Sequence, residues 1–156
     1  MLKLVSSGLV VFAGVACAPA PNTPAYHLHG AAMHLDGRLN AVRGFFEKGD
    51  CPAREYSQVF LDAADSYQLD WRLLPSLSFV ESTGGKVAPY NNIFGWDNGT
   101  GRFSSPTAAI WGVAYQLAES KLYRNRSIDQ LLSLYNPNPG YADRVKSVMR
   151  RIAVIE

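Results

Sequence analysis

The sequence predicts a mainly α-helical domain, and three observations carry that prediction. Apolar residues recur at helical spacing along most of the chain from residue 35 onward. Capping signals stand at the starts of several of those stripes. No stretch shows sustained strand alternation, and no internal repeat is present. One segment breaks the pattern: Gly84 to Phe103 holds five glycines and one proline. It predicts a long irregular loop or a small β-hairpin, the latter turning at Asp97-Asn98-Gly99, where Asn-Gly is a turn signal.

The stripes run in order. Leu35, Leu39, Val42 and Phe46 form the first, with Asp36 as a cap. Tyr56, Val59, Phe60, Ala63, Ala64 and Tyr67 form a fuller one. Asp70 is expected to cap a third helix whose apolar face runs through Leu74 and Leu77 toward Glu81, with Pro75 deleting one backbone bond, kinking the entry and moving the effective start beyond Asp70. Ser105-Pro106 opens a fourth, a capping hydroxyl followed by proline at the first helical position, which turns Ile110, Trp111, Ala114, Leu117 and Ala118 inward. Ser127 and Gln130 form a capping box for a short helix carrying Leu131, Leu132 and Leu134. The last helix shows Tyr141, Val145, Val148, Met149 and Ile152.

A length of 156 residues suits one domain with a real core. A hydrophobic fraction of 47% and a charged fraction of 18% describe a globular chain rather than a disordered one. The net charge of +2 is too weak to predict a nucleic-acid partner. Two basic groups, one of Lys121, Arg124 and Arg126 and one of Arg144, Lys146, Arg150 and Arg151, read as solvated helix faces.

The first residues read as an address. Met1-Leu2-Lys3 is short and positive, and Leu4 to Ala16 is apolar but too short to span a bilayer. Residues 1–16 are therefore expected to be a signal peptide, cut before Cys17, with export to the periplasm or cell envelope. A cysteine directly after such a cut suggests lipidation and membrane attachment, although Gly14 stands where lipoproteins usually carry leucine. Cys51 would then be an unpaired thiol, and without lipidation a Cys17–Cys51 disulfide is allowed. Cys51 precedes Pro52 in a turn and no histidine follows it, which argues against a catalytic thiol. Residues 17–34, rich in Ala and Pro, read as a linker whose His27, His29 and His34 are solvated rather than metal ligands. The domain is expected over 35–156, monomeric, with no cofactor and no metal.

The chemistry gathers at Glu81-Ser82-Thr83-Gly84-Gly85 and Tyr90-Asn91-Asn92-Ile93-Phe94-Gly95-Trp96. Glu81 ends an apolar helix where two glycines stop it. Apolar neighbours (Leu74, Leu77, Phe79) and the negative end of the helix dipole both disfavour its ionised form. A carboxyl kept protonated is what protonation of a glycosidic oxygen needs. Asn91 and Asn92 offer amides for sugar hydroxyls and acetamido groups, Phe94 and Trp96 offer faces for sugar rings, and Gly95 allows close backbone approach. Ile93 and Phe94 also read as a plug anchoring the loop. Tyr135 and Asn136, followed by two prolines and Tyr141, form a second candidate wall, although Tyr141 also fits the core stripe of the last helix.

The run from about Tyr56 to Arg151 resembles a lysozyme-like domain of the mannosyl-glycoprotein endo-β-N-acetylglucosaminidase type, related to lytic transglycosylases. The likeness rests on Glu81-Ser82 with its glycines, on Asn91-Asn92-Ile93-Phe94-Gly95, and on the Tyr135-Asn136 pair. It implies that Glu81 is the general acid, that Ser82, Tyr90, Asn91, Asn92, Phe94, Gly95, Trp96, Tyr135 and Asn136 bind substrate, and that the substrate is the glycan strand of peptidoglycan.

The second acid departs from the usual arrangement of paired carboxylates. Between Glu81 and the fourth helix only Asp97 qualifies, and it reads equally as a turn aspartate. Without it, the substrate's 2-acetamido group would stabilise the charge, and attack by water or by the sugar's own 6-hydroxyl would give hydrolysis or transglycosylation. A non-catalytic glycan-binding envelope lipoprotein is the alternative outside enzymes.

Overall fold

The computed structural model describes residues 37–152, and these form six α-helices and two short 3-10 turns, with no strand among them. The expected signal peptide and linker, Cys17, the three histidines, Leu35 and Asp36 lie outside the described residues.

Helix α1 (Gly37–Lys48) buries Ala41, Val42, Phe45 and Phe46. A 3-10 turn (Pro52–Tyr56) leads into α2 (Ser57–Ser66), which buries Phe60, Leu61, Ala63 and Ala64. The predicted stripe was wider at both ends: Tyr56 and Tyr67 flank α2 and are half-buried.

Helix α3 (Leu73–Ser82) is the spine, buried continuously from Leu73 to Ser78. It begins beyond Asp70, as expected, but without the deleted bond at Pro75. Asp70 caps the turn before the helix, its carboxylate accepting from the Arg72 backbone N–H at 2.9 Å. The first helical bond runs from Ser76 N to Arg72 O at 3.1 Å. Pro75 therefore occupies the first turn, where backbone N–H groups have no intrahelical acceptor, so it removes no bond and causes no kink. The helix ends at Thr83, which is left-handed at φ 53° and donates to Phe79 O at 3.0 Å. The two glycines continue the reversal rather than begin it. A Cβ on Gly84 would stand 2.8 Å from Cβ of Cys51 and about 3 Å from the Phe46 ring, so only glycine fits there.

Helix α4 (Pro106–Glu119) starts as predicted, with Ser105 Oγ accepting from Ala108 N at 3.1 Å and proline in its first turn. Helix α5 (Ile128–Tyr135) carries the capping box from Ser127 and Gln130. Helix α6 (Tyr141–Arg151) buries Tyr141, Val145, Val148 and Met149, and packs more extensively on α3 than any other helix does. Helix α2 lies between α1 and α4. Phe46 stacks on Phe60 at 5.7 Å, and Phe60 meets Phe94 edge-on at 6.4 Å.

No hairpin forms between Gly84 and Phe103. Asp97, Asn98 and Gly99 are all left-handed, at φ 55°, 51° and 83°. Their backbone closes on itself: Gly99 N donates to Gly95 O at 2.9 Å and Gly101 N to Trp96 O at 3.1 Å. Three left-handed residues in succession curl the chain too tightly for flanking strands to pair. Phe94 is fully buried and anchors this loop in the core, a burial worth about 1.5–3 kcal/mol.

Candidate functional site

The curled loop, the segment after α4 and the end of α5 enclose a groove of about 1010 Å³. Glu81, in the last turn of α3, lies in its wall with Gly95, Trp96, Asp97, Arg102, Tyr123, Tyr135 and Asn136.

Helical spacing puts Leu74 and Leu77 on the same side of α3 as Glu81, and both are fully buried. Phe79, expected among these neighbours, instead meets Phe45 at 4.9 Å beneath Arg151. The Tyr141 hydroxyl donates to Glu81 Oε1 at 2.6 Å. A Cβ on Gly95 would stand 2.6 Å from Glu81 Oε2, so the loop backbone presses directly against the carboxyl. Burial pushes the Glu81 pKa up, and the Tyr141 hydrogen bond and the Arg144 charge oppose this only in part. Its position at a helix C-terminus acts with burial. Burial, and then the nearness of Glu81, also push the Tyr141 phenol upward, so it remains a hydrogen-bond donor.

An aromatic wall stands beside the carboxyl. Tyr135 stacks parallel on Tyr141, with 6.1 Å between centroids and 7° between planes. Its hydroxyl donates to Phe94 O at 2.6 Å, tying α5 to the loop. Trp96 lies 5.7 Å from Tyr135 and 6.1 Å from Tyr123. These contacts fix the three rings relative to one another along the groove wall. Asn136 lines the groove, its Oδ1 accepting from Asn138 N at 3.0 Å.

Five expected substrate-binding residues do not line the groove; four of them hold its shape. Ser82 is buried, donates to Ser78 O and Ile93 O at 2.9 and 2.8 Å, and accepts from Gly85 N at 2.9 Å. Asn92 is buried with both ends of its amide on the Trp96 backbone: Nδ2 donates to the carbonyl and Oδ1 accepts from the N–H, each at 2.9 Å. Asn91 Nδ2 donates to Phe103 O at 3.0 Å. Phe94 is the core anchor. Tyr90 does not line the groove itself but stands under Arg102, which does, 3.8 Å from its guanidinium carbon. Gly95, Trp96, Tyr135 and Asn136 meet the expectation.

Asp97 lines the groove but is exposed, with its Oδ2 accepting from Thr100 Oγ1 at 2.8 Å. That bond belongs to its own turn. Among the described residues, no group of three His, Cys, Asp or Glu side chains is placed to hold a metal ion. Cys51 is a free, buried thiol. Lys146 pairs with Asp129 at 2.6 Å, in keeping with a solvated basic face.

One groove-lining tyrosine, Tyr123, lies outside what the sequence singles out for the site. Tyr123 sits outside any stripe, amid Lys121, Arg124 and Arg126, so periodicity carries no signal for it. Tyr141 fits the α6 core stripe, yet a buried phenol needs a hydrogen-bond partner, and that requirement points toward a nearby carboxyl. Compared with known proteins, the chain matches no family model, and no curated protein is similar to it in sequence.

Proposed function

We propose that the chain is a lysozyme-like enzyme that cleaves the glycan strands of peptidoglycan, with Glu81 as its single general acid. The observation that carries this is the half-buried Glu81 carboxyl at the groove wall, held by Tyr141, crowded by Gly95 and raised in pKa. A carboxyl so placed keeps its proton to higher pH than an exposed glutamate does. Protonated Glu81 gives that proton to the glycosidic oxygen, the bond from the anomeric carbon to that oxygen breaks, and the leaving sugar departs as an alcohol. Trp96, Tyr123 and Tyr135 supply the faces against which sugar rings are held.

The charge left on the anomeric carbon needs stabilising. Besides Glu81, Asp97 is the carboxylate lining the groove, and it is engaged by Thr100. That favours assistance by the substrate's own 2-acetamido group. Glu81, now ionised, then takes a proton from the attacking nucleophile. Water gives endo-β-N-acetylglucosaminidase-type hydrolysis, and the sugar's 6-hydroxyl gives an anhydro product, as in lytic transglycosylases. The reading accords with the export expected from residues 1–16.

Incubation of purified glycan strands with the protein and with Glu81→Gln, followed by mass analysis, tests it. The parent should release fragments, and the Gln variant should bind strands while its cleavage falls by about a hundredfold to ten-thousandfold. Equal release by both would refute Glu81 as the acid. Binding by both with release by neither would replace the enzyme with a glycan-binding module. Product mass separates water addition from anhydro-ring closure.

A further inference from the structure

Among the described residues lining the groove, Arg102 is the one cation, set against the carboxylates of Glu81 and Asp97. Its guanidinium carbon stands 3.8 Å from the centroid of the Tyr90 ring, within stacking distance. Stacking occupies a face of the guanidinium and leaves its N–H edges directed outward. No hydrogen bond or ion pair joins the Arg102 side chain to another described residue.

The loop is built to hold this stack. Tyr90 and Asn91 are both left-handed at φ 58°, an unusual conformation for two successive residues other than glycine. Phe103 N donates to Tyr90 O at 3.1 Å, and Asn91 Nδ2 donates to Phe103 O at 3.0 Å. These bonds clamp the Tyr90 segment to the residue after Arg102. Tyr90 is 53% exposed, so burial of its ring is not what the strain achieves. Its ring is the platform on which the arginine rests.

We propose that Arg102, held flat on Tyr90, recognises a carboxylate carried by the glycan strand, so that the groove prefers acidic strands to neutral ones. A guanidinium edge matches a carboxylate with two parallel N–H···O bonds, and a stacked guanidinium loses little freedom in making them. Peptidoglycan offers two sources of that group, the lactyl substituent on alternate sugars and the stem peptide. The proposal rests on the glycan reading of the groove.

The test uses binding to Glu81→Gln, so that no probe is consumed, with three probes. These are a neutral N-acetylglucosamine oligosaccharide, a strand stripped of peptides to leave free lactyl carboxylates, and a strand with its stem peptides intact. Glu81→Gln should bind at least one acidic strand more tightly than the neutral oligosaccharide, and which strand identifies the carboxylate. Adding Arg102→Gln should reduce that preference by about tenfold, the lower end of what a hydrogen bond to a charged group contributes. Adding Arg102→Lys should restore it only in part. An acid-to-neutral ratio unchanged by Arg102→Gln, or equal weakening toward all three probes, overturns the proposal while leaving the glycan reading intact. Failure of Glu81→Gln and of the parent to bind any probe overturns the glycan reading itself.

Discussion

Gly95→Ala should disable cleavage while leaving the protein folded. The added Cβ would meet Glu81 Oε2 at 2.6 Å, whereas ordinary contact begins near 3.4 Å. The atom in the way is the end of a flexible side chain, so the carboxyl can yield by about 0.8 Å rather than split the loop from α3. Gly95 is also left-handed at φ 59°, which costs an alanine about 1–2 kcal/mol. The stability loss is therefore modest, a fall of several degrees in melting temperature. The functional loss should be much larger. Misplacing a reacting group by about 1 Å is enough to lose about a hundredfold in rate. The same shift stretches the 2.6 Å bond from Tyr141, which holds the carboxyl in its present orientation. The assay is fragment release from glycan strands by mass analysis, run beside a thermal melt and a strand-binding measurement. A folded, strand-binding Ala variant that cleaves at the parent rate would refute the placement of Glu81 as the basis of catalysis.

Because burial raises the Glu81 pKa, folding is favoured by the protonated form. That stability is full below the ordinary glutamate pKa and is lost as pH rises through the raised value. Glu81→Gln carries no charge at any pH, so it should melt above the parent at pH 7, with the gap closing below about pH 4. A gap independent of pH, measured by thermal melts, would remove burial as the cause. On the same reasoning, kcat for glycan cleavage should decline as pH rises through the Glu81 pKa in the complex, and a rate that climbs steadily to alkaline pH would contradict an acid role. Asp97→Asn should keep its turn, since asparagine tolerates φ 55° and its amide oxygen can accept from Thr100. Its cleavage rate should stay well within the roughly hundredfold that a positioned proton-transfer group contributes, and total loss would make Asp97 an essential second acid. Ser82→Ala strands Gly85 N without its acceptor and Ile93 O without its donor, which should cost about 1–3 kcal/mol in denaturant unfolding. If unfolding were unchanged, the structural role given to Ser82 would be wrong.

Several helices were legible because they are written twice, once in a stripe and once in a cap. Ser105-Pro106 and Ser127 with Gln130 fixed two starts that the structure reproduces. The stripe of α6 holds throughout, with Tyr141, Val145, Val148, Met149 and Ile152 all buried. Pro75 shows where the reading slipped. The helix does begin later than Asp70, at Leu73, but those three residues decide whether a proline deletes a bond or deletes nothing. The hairpin failed for a similar reason. Asn98-Gly99 does turn, but Asp97 before it is left-handed too, and nothing in a turn dipeptide reports the conformation of the residue ahead of it.

The site was legible as a neighbourhood and misread in its contacts. Glu81 and Gly95 touch, and Trp96, Tyr135 and Asn136 line the groove, so part of the expected site does come together. Yet the amides among them face inward. Asn92 turns both polar atoms to the backbone of Trp96, and Asn91 spends its amide on Phe103. The physical reason is that this loop has no ladder of backbone bonds to hold it, so its carbonyls and N–H groups must be satisfied by side chains. Asn91 and Asn92 therefore serve this loop as scaffold. Sequence spacing records the shape of such a loop, whereas the aromatic lining of the groove comes from residues far apart in the chain, Trp96, Tyr123 and Tyr135. Trp96 meets both of the other rings, and Tyr135 is tied to the loop through Phe94 across the fold.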